Sequence, residues 1–227
     1  MKSKKIIENQ LAIYKGRFKE HGDSPESTYN QLLEIQNLRF ERLLSHINLS
    51  VEKKSIHDVG CGICDMYKYL KKHDSKLEYS GTDIVPEMKE LVKNKYPEIK
   101  FFIRDIIEDK IAESYDYVVL SGTFNLPGTI NHKVWRKFTR DMIFSMYKIC
   151  KKGIAFNFLS SKADFYNPKM YYESLEDITN FCSQTLSRHI FIDHAYPLYE
   201  FSCTVLKPEA VKERYTDNVF NKYFKKN

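Results

Sequence analysis

The apolar positions of this chain change period several times, and the changes divide it into elements. Ile56 and Val59, ahead of the turn Gly60-Cys61-Gly62, suit a strand covered on both faces, and Met66, Tyr67 and Leu70 recur at helical spacing after it. Four further runs read as strands of the same sheet: Leu77–Asp83, Lys100–Arg104, Tyr115–Leu120 and Lys152–Leu159. Between them the spacing predicts helices at Cys64–His73, Pro86–Asn94 and His132–Cys150, with Pro86 suited to a first helical turn. Strand and helix thus alternate as in a doubly wound α/β sheet. A helix at Leu175–Leu186 follows, then strands Arg188–Asp193 and Leu198–Leu206, and the short link His194-Ala195-Tyr196-Pro197 between them allows only an antiparallel pair.

Ahead of the sheet the pattern gives two more helices, Ile6–Phe18 and Tyr29–Ile47, parted by a loop at Gly22 and Pro25. The second has Leu32, Leu33, Ile35, Leu38, Phe40, Leu43 and Leu44 as its apolar side. The stretch Ser160–Tyr172 is too aromatic for a simple linker, and the tail from Pro208 reads as a basic, aromatic helix on the surface.

At 227 residues the chain accommodates one α/β domain with a good core. Its net charge of +6 is moderate and spread out; it could favour an anionic substrate or RNA, but a lysine-rich solubility surface is the commoner explanation. The five cysteines are odd in number and scattered, which predicts reduced thiols. Cys61 and Cys64 form a lone C-x-x-C with no second pair and no histidine cluster, so no metal site is expected and Cys61 is expected to pack as a small residue in the turn. No apolar run has the length of a membrane span, and MKSKKIIENQ lacks the apolar core of a signal peptide. A cytoplasmic protein without membrane insertion is expected.

The chemistry follows from the glycine turn. In an open α/β sheet it lies at the carboxyl ends of the strands, where ligands bind. A dinucleotide fingerprint needs a third glycine where this chain has Asp65, and the Walker lysine is also missing. Asp58 and Asp65 disfavour an anion. Asp58-Val59-Gly60-Cys61-Gly62 instead resembles the first motif of class I S-adenosylmethionine methyltransferases, whose cofactor has no phosphates and carries an ammonium and a sulfonium. A turn that only joins strand to helix is the plainer alternative for the motif taken alone.

The resemblance extends over Ser55–Leu206. Asp83 ends the second strand twenty-one residues beyond Gly62, and an acidic side chain near that offset can accept hydrogen bonds from both ribose hydroxyls of an adenosine. Ile84 would then lie against the adenine face, Asp105-Ile106 matches the family's adenine-edge position, and Ser121-Gly122-Thr123-Phe124-Asn125 follows the fourth strand. The cofactor residues implied are Asp58, Gly60, Cys61, Gly62, Asp83, Ile84, Asp105, Ile106 and Ser121. The fold implied is a Rossmann-like, seven-stranded, mostly parallel sheet with an antiparallel last strand and helices on both faces. A helical N-terminal lid (1–50), a cofactor-binding domain (51–207) and a C-terminal tail (208–227) packed on it complete the expected organisation. The pattern departs from the family's at Cys64, where a third glycine is usual.

Methyl transfer from a sulfonium is an in-line displacement, so a protein must hold the acceptor in line and exclude water. A phosphate or carboxylate acceptor needs no base, whereas a hydroxyl benefits from one, with His21 the first candidate and His194 the second. Tyr14, Arg17, Asn125, Tyr166, Tyr171, Tyr172 and Tyr199 are the candidate acceptor contacts, and they suit a polar or anionic small molecule. Phe124-Asn125-Leu126-Pro127 departs from the D/N-P-P-Y/F signature of base-methylating enzymes, which argues against a nucleic-acid partner. An RNA-modifying or RNA-binding protein on the same fold is the alternative. NFLSS and YPLYEF, with the Ser121–Asn125 block, resemble bacterial methyltransferases found with surface-polysaccharide genes, including those acting on phosphoramidate decorations of capsules.

Overall fold

The strands form one sheet in the order β3-β2-β1-β4-β5-β8-β7, with a short β6 beside β5. These are β1 Ser55–Val59, β2 Glu78–Asp83, β3 Lys100–Ile103, β4 Tyr115–Leu120, β5 Cys150–Ser160, β6 Tyr172–Glu173, β7 Ile190–Asp193 and β8 Glu200–Leu206. A computed structural model describes residues 2–28, 32–47, 54–73 and 76–224. Strands β1 to β6 pair in parallel, β8 runs antiparallel to β5, and β7 antiparallel to β8. The strand order reverses between β1 and β4, which opens a crevice at their carboxyl ends.

The helices are α1 Lys2–His21, α2 Leu33–Leu44, α3 Asp65–Lys72, α4 Pro86–Lys95, α5 His132–Ile149, α6 Leu175–Thr185 and α7 Pro208–Lys212. Successive strand residues serve opposite faces, so the sheet carries two cores. Val118, Leu120, Phe156, Phe158 and Phe201 pack with Trp135, Phe138 and Ile143 of α5 and Ile178 of α6. Tyr117, Val119 and Ala155 pack on the other face with Phe40, Leu43 and Leu44 of α2 and with Met66 and Met88. Ile6 of α1 belongs to the first core, so both N-terminal helices share the sheet's cores.

Two expectations need correction. The two-residue β6 adds an eighth strand to the expected seven. Its Glu173 is 2% exposed, accepts from the Tyr171 hydroxyl (2.9 Å) and pairs with Arg140 of α5 (2.8 Å), so the aromatic stretch is docked on the sheet by a buried charge. In α2 the packed stripe is Gln36, Phe40, Leu43 and Leu44, continued by Ile47. Leu33 and Ile35 lie off that stripe and Leu32 precedes the helix, so all three are exposed. The expected start of this helix at Tyr29 and the domain boundary at residue 50 lie outside the described residues. Among the described residues no helix is long and apolar enough to cross a membrane.

Removing Glu173 strands a guanidinium in the core. Glu173→Ala is expected to lose about 3–5 kcal/mol of stability, read as a lower urea midpoint, and an unchanged midpoint would remove the Arg140–Glu173 pair from this account.

Candidate active site

The turn after β1 holds left-handed backbone at three positions. Gly60 has φ +70°, Gly62 +54° and Cys64 +63°. A Cβ at Gly60 would collide with the Thr123 hydroxyl, and one at Gly62 would come within 2.6 Å of Thr28 Cγ2, so both glycines answer close approach as well as conformation. Cys64 stands where the resemblance leads one to expect a third glycine, and it keeps the conformation a glycine would take, at a cost of about 1–2 kcal/mol. Its thiol and that of Cys61 are buried and free.

Two contacts fasten this turn to β2. The amides of Gly60 and Cys61 both donate to the Thr82 carbonyl (2.8 and 3.1 Å). Asp83 Oδ2 accepts from the Gly62 amide (2.9 Å), while Oδ1 accepts from Ile84 and Val85 (2.7 and 3.0 Å). Asp83 therefore differs from the free strand-end carboxylate expected of it: it is 8% exposed and holds the loop closed. Burial pushes its carboxyl upward, against the pull of the three amides.

Asp58 is more extreme. It is 3% exposed; Oδ2 accepts from the Tyr79 hydroxyl (2.8 Å), and Oδ1 has no hydrogen-bond partner among the described residues. Burial raises its carboxyl to about 7, Tyr79 opposes the rise, and the Asp83 and Asp65 carboxylates add to it. Such a group calls for a cation or donor beside it. Behind it, His57 stacks on Tyr115 and lies within hydrogen-bonding distance of Ser80 and Thr82 (2.8 and 3.0 Å); burial and Arg104 hold it neutral, with its pKa lowered to about 3.

These groups face a cavity of about 590 Å³. All nine residues assigned to the cofactor, Asp58, Gly60, Cys61, Gly62, Asp83, Ile84, Asp105, Ile106 and Ser121, lie on its wall. Asp105 Oδ1 accepts from the Ile107 amide (2.9 Å), and burial raises its carboxyl. Beside Ser121, the Gly122 amide donates to Asn157 Oδ1 (2.7 Å). Asn157 Nδ2 donates to Glu200 (2.5 Å), which is gripped by Arg39 of α2 through Nε (2.9 Å) and Nη2 (2.6 Å). Helix α1 crosses the mouth: Ile7, Gln10 and Tyr14 line the cavity. Gln10 donates to the Leu126 carbonyl (3.2 Å) on one side, and Lys15 pairs with Glu87 of α4 on the other.

The acceptor assignments divide. Tyr14 and Asn125 lie on the wall; Asn125 Oδ1 also accepts from the Leu159 amide (3.2 Å), tying the β4 loop to β5. The other assigned side chains lie off it. His21, at the end of α1, is placed 3.5 Å from Glu20, and Arg17 donates to the Glu26 carbonyl (2.6 Å). His194 is exposed in the β7–β8 link. Tyr171 is buried on Glu173, Tyr166 stacks on Tyr172 at 4.3 Å, and Tyr199 packs near Phe165 on the surface. Tyr171 is thus held in the packing by Glu173, while Tyr166 and Tyr199 are exposed and off the cavity wall. Arg39, a candidate functional side chain of the N-terminal helices from sequence, also reaches the wall, whereas Gln10, Gln36, Arg104, Lys169 and Glu200 reach it without having been singled out. Glu200 left a usable trace, as the one charged residue of its strand.

Residues 56–153 match a family described as methyltransferase domain. The chain is 28% identical over 155 residues to Rv1506c of Mycobacterium tuberculosis, a protein named as a methyltransferase, covering 67% of this chain and 93% of the relative. Among solved structures, magnesium protoporphyrin IX methyltransferase from Synechocystis PCC 6803, with bound S-adenosylmethionine, superposes with a TM-score of 0.58 at 13% identity, covering 91% of this chain and 97% of that one. The N-methyltransferase NodS of Bradyrhizobium japonicum, with S-adenosylhomocysteine, gives 0.60 at 12% identity, covering 88% and 99%. At such identity the likeness carries the fold.

The cofactor of this site is S-adenosylmethionine, and the residues present fit it. The unpartnered oxygen of Asp58 suits its ammonium, and the strand-end carboxylates suit a ligand with donors and no phosphate. Because Asp58 sits near 7 before a cation arrives, affinity for S-adenosylhomocysteine should be level above pH ~7 and fall towards tenfold per unit below it, as a proton must leave on binding. Calorimetric titration across that range checks this, with Asp58→Asn expected to flatten the profile. A flat wild-type profile would contradict it.

Proposed function

We infer that this chain, whose residues 56–153 form a class I S-adenosylmethionine-dependent methyltransferase domain, methylates an oxygen of a small polar or anionic metabolite. One observation carries the reading: among the described residues on the cavity wall none is a histidine, and the carboxylate at the acceptor end, Glu200, is already engaged by Arg39 and Asn157. An acceptor that arrives as a carboxylate or phosphate needs no proton removed, so no base is required beside Glu200.

When bound, the cofactor supplies a methyl group on a sulfonium. The chain's part is to hold and to exclude. Asp83 and the glycine turn fix one end of the cavity, and the Arg39–Glu200–Asn157 chain fixes the other. Helix α1 is proposed as the lid that keeps water out, and its Ile7, Gln10 and Tyr14 on the wall support that role. A volume of about 590 Å³ suits a cofactor with a small partner better than a polymer segment. The finer acceptor class, a phosphorylated, phosphoramidate or sugar precursor of a bacterial capsule, is supported by the Ser121–Asn125, NFLSS and YPLYEF stretches alone.

A panel of carboxylic acids, sugar phosphates, matched neutral alcohols, amines and RNA fragments, assayed for S-adenosylhomocysteine release, tests this. Turnover confined to acids and phosphates is expected. Turnover of the alcohols or amines alone, or of RNA alone, would overturn it.

A further inference from the structure

The charges on the cavity wall are sorted by position. Asp58, Asp83 and Asp105 stand at the ends of β1 to β3 with Asp65 beside them, against one cation there, Arg104, which is held by Glu113 at 3.2 Å. The end of β5 is the reverse. There Glu200 is covered by Arg39, and Lys169 has no carboxylate within ion-pair distance among the described residues. One positive charge is left over at this end. The other wall cations are committed, so Lys169 is the one able to take a new anion.

Lys169 is also presented on a built turn. The Asn167 amide donates to the Tyr172 hydroxyl (2.8 Å), Asn167 Oδ1 accepts from the Lys169 amide (3.0 Å), and the Met170 amide returns to the Asn167 carbonyl (3.0 Å). The Tyr171 amide donates to the Asn125 carbonyl (2.9 Å), fastening the turn to the loop after β4. Tyr172, assigned from sequence to the acceptor itself, works here as a brace.

We propose that the β5 end of the cavity is an oxyanion subsite in which Lys169 binds the acid oxygens of the acceptor that are not methylated. The proposal rests on the acceptor reading above and names the residue that selects for it. Negative carboxylates at one end and a free ammonium at the other orient two oppositely charged ligands head to tail, cation towards β1 and anion towards β5. An exposed ammonium on a fixed turn is suited to capture and orientation, and its neighbour Arg39, locked on Glu200, keeps that carboxylate from repelling the anion.

The test uses the full chain saturated with S-adenosylhomocysteine, its lysines carrying 13C-dimethyl labels, titrated with inorganic phosphate or malonate against chloride at matched ionic strength. The Lys169 resonance, identified by its loss in Lys169→Met, should shift saturably with one or both probes, phosphate reporting a phosphorylated acceptor and malonate a carboxylate. Apparent affinity, read from thermal stabilisation of the complex, should fall about three- to ten-fold in Lys169→Met, recover in Lys169→Arg, and stay unchanged in Lys162→Met, whose lysine lies off the cavity near Glu176. An unmoved Lys169 resonance, or Lys169→Met binding both probes as the wild type does, would overturn the subsite. Phosphate binding at Lys169 together with turnover of neutral acceptors alone would overturn the acceptor reading and, with it, the assignment of Lys169 to the acceptor's acid oxygens, leaving an anion site without that role.

Discussion

The structure depends on one buried carboxylate. Asp83 receives amides from Gly62, Ile84 and Val85, so a single side chain ties the glycine turn to the strand beside it and caps the start of the connection to α4. Each such bond to a charged acceptor is worth about 1.5–3 kcal/mol, set against a desolvation cost that the raised carboxyl reveals. The three amides hold the side chain in place. With the turn fixed, Gly60 lies against Thr123 of the β4 loop and Gly62 against Thr28, so the cavity floor and the N-terminal region meet at positions where only glycine fits.

From that anchor the polarity of the site follows. Asp58 is left with an oxygen that lacks a partner among the described residues, an arrangement that stability alone would not favour and that a cationic ligand relieves. Across the cavity the Arg39–Glu200 pair is nearly dry, 15% and 5% exposed at the side chains, and buried pairs are weak evidence for stability. Its physical effect is positional. It joins α2 to β8, and through Asn157 to the Gly122 amide beside Ser121, so the two ends of the cavity share one hydrogen-bonded chain.

Much of this was legible in the sequence because topology dictates it. Strands covered on both faces write themselves as Tyr115–Leu120 or Phe201–Leu206, and once the order of strands is known the residues at their carboxyl ends must share a crevice, which is why Asp58, Asp83, Asp105 and Ser121 reach one wall. The β5 end of the cavity was not legible for the opposite reason. Which side chains face it is set by how α1, α2 and the β5–β6 connection settle on the sheet, and no periodicity encodes that. Tyr171 was drawn inward by Glu173 and Arg140, three residues far apart in kind and partly in sequence, while Lys169, in the same stretch, was left at the rim. His21 and His194 carried reactive side chains without a position to go with them.

The central claim is that the Asp83-clamped turn is the cofactor site, and titration calorimetry with S-adenosylhomocysteine on wild type and Asp83→Ala tests it most directly. Saturable binding to the wild type, weakened about ten- to hundred-fold in Asp83→Ala with a lower melting temperature, is the result this account predicts. A wild type that does not bind, or an Asp83→Ala protein that binds as tightly as wild type, would contradict it.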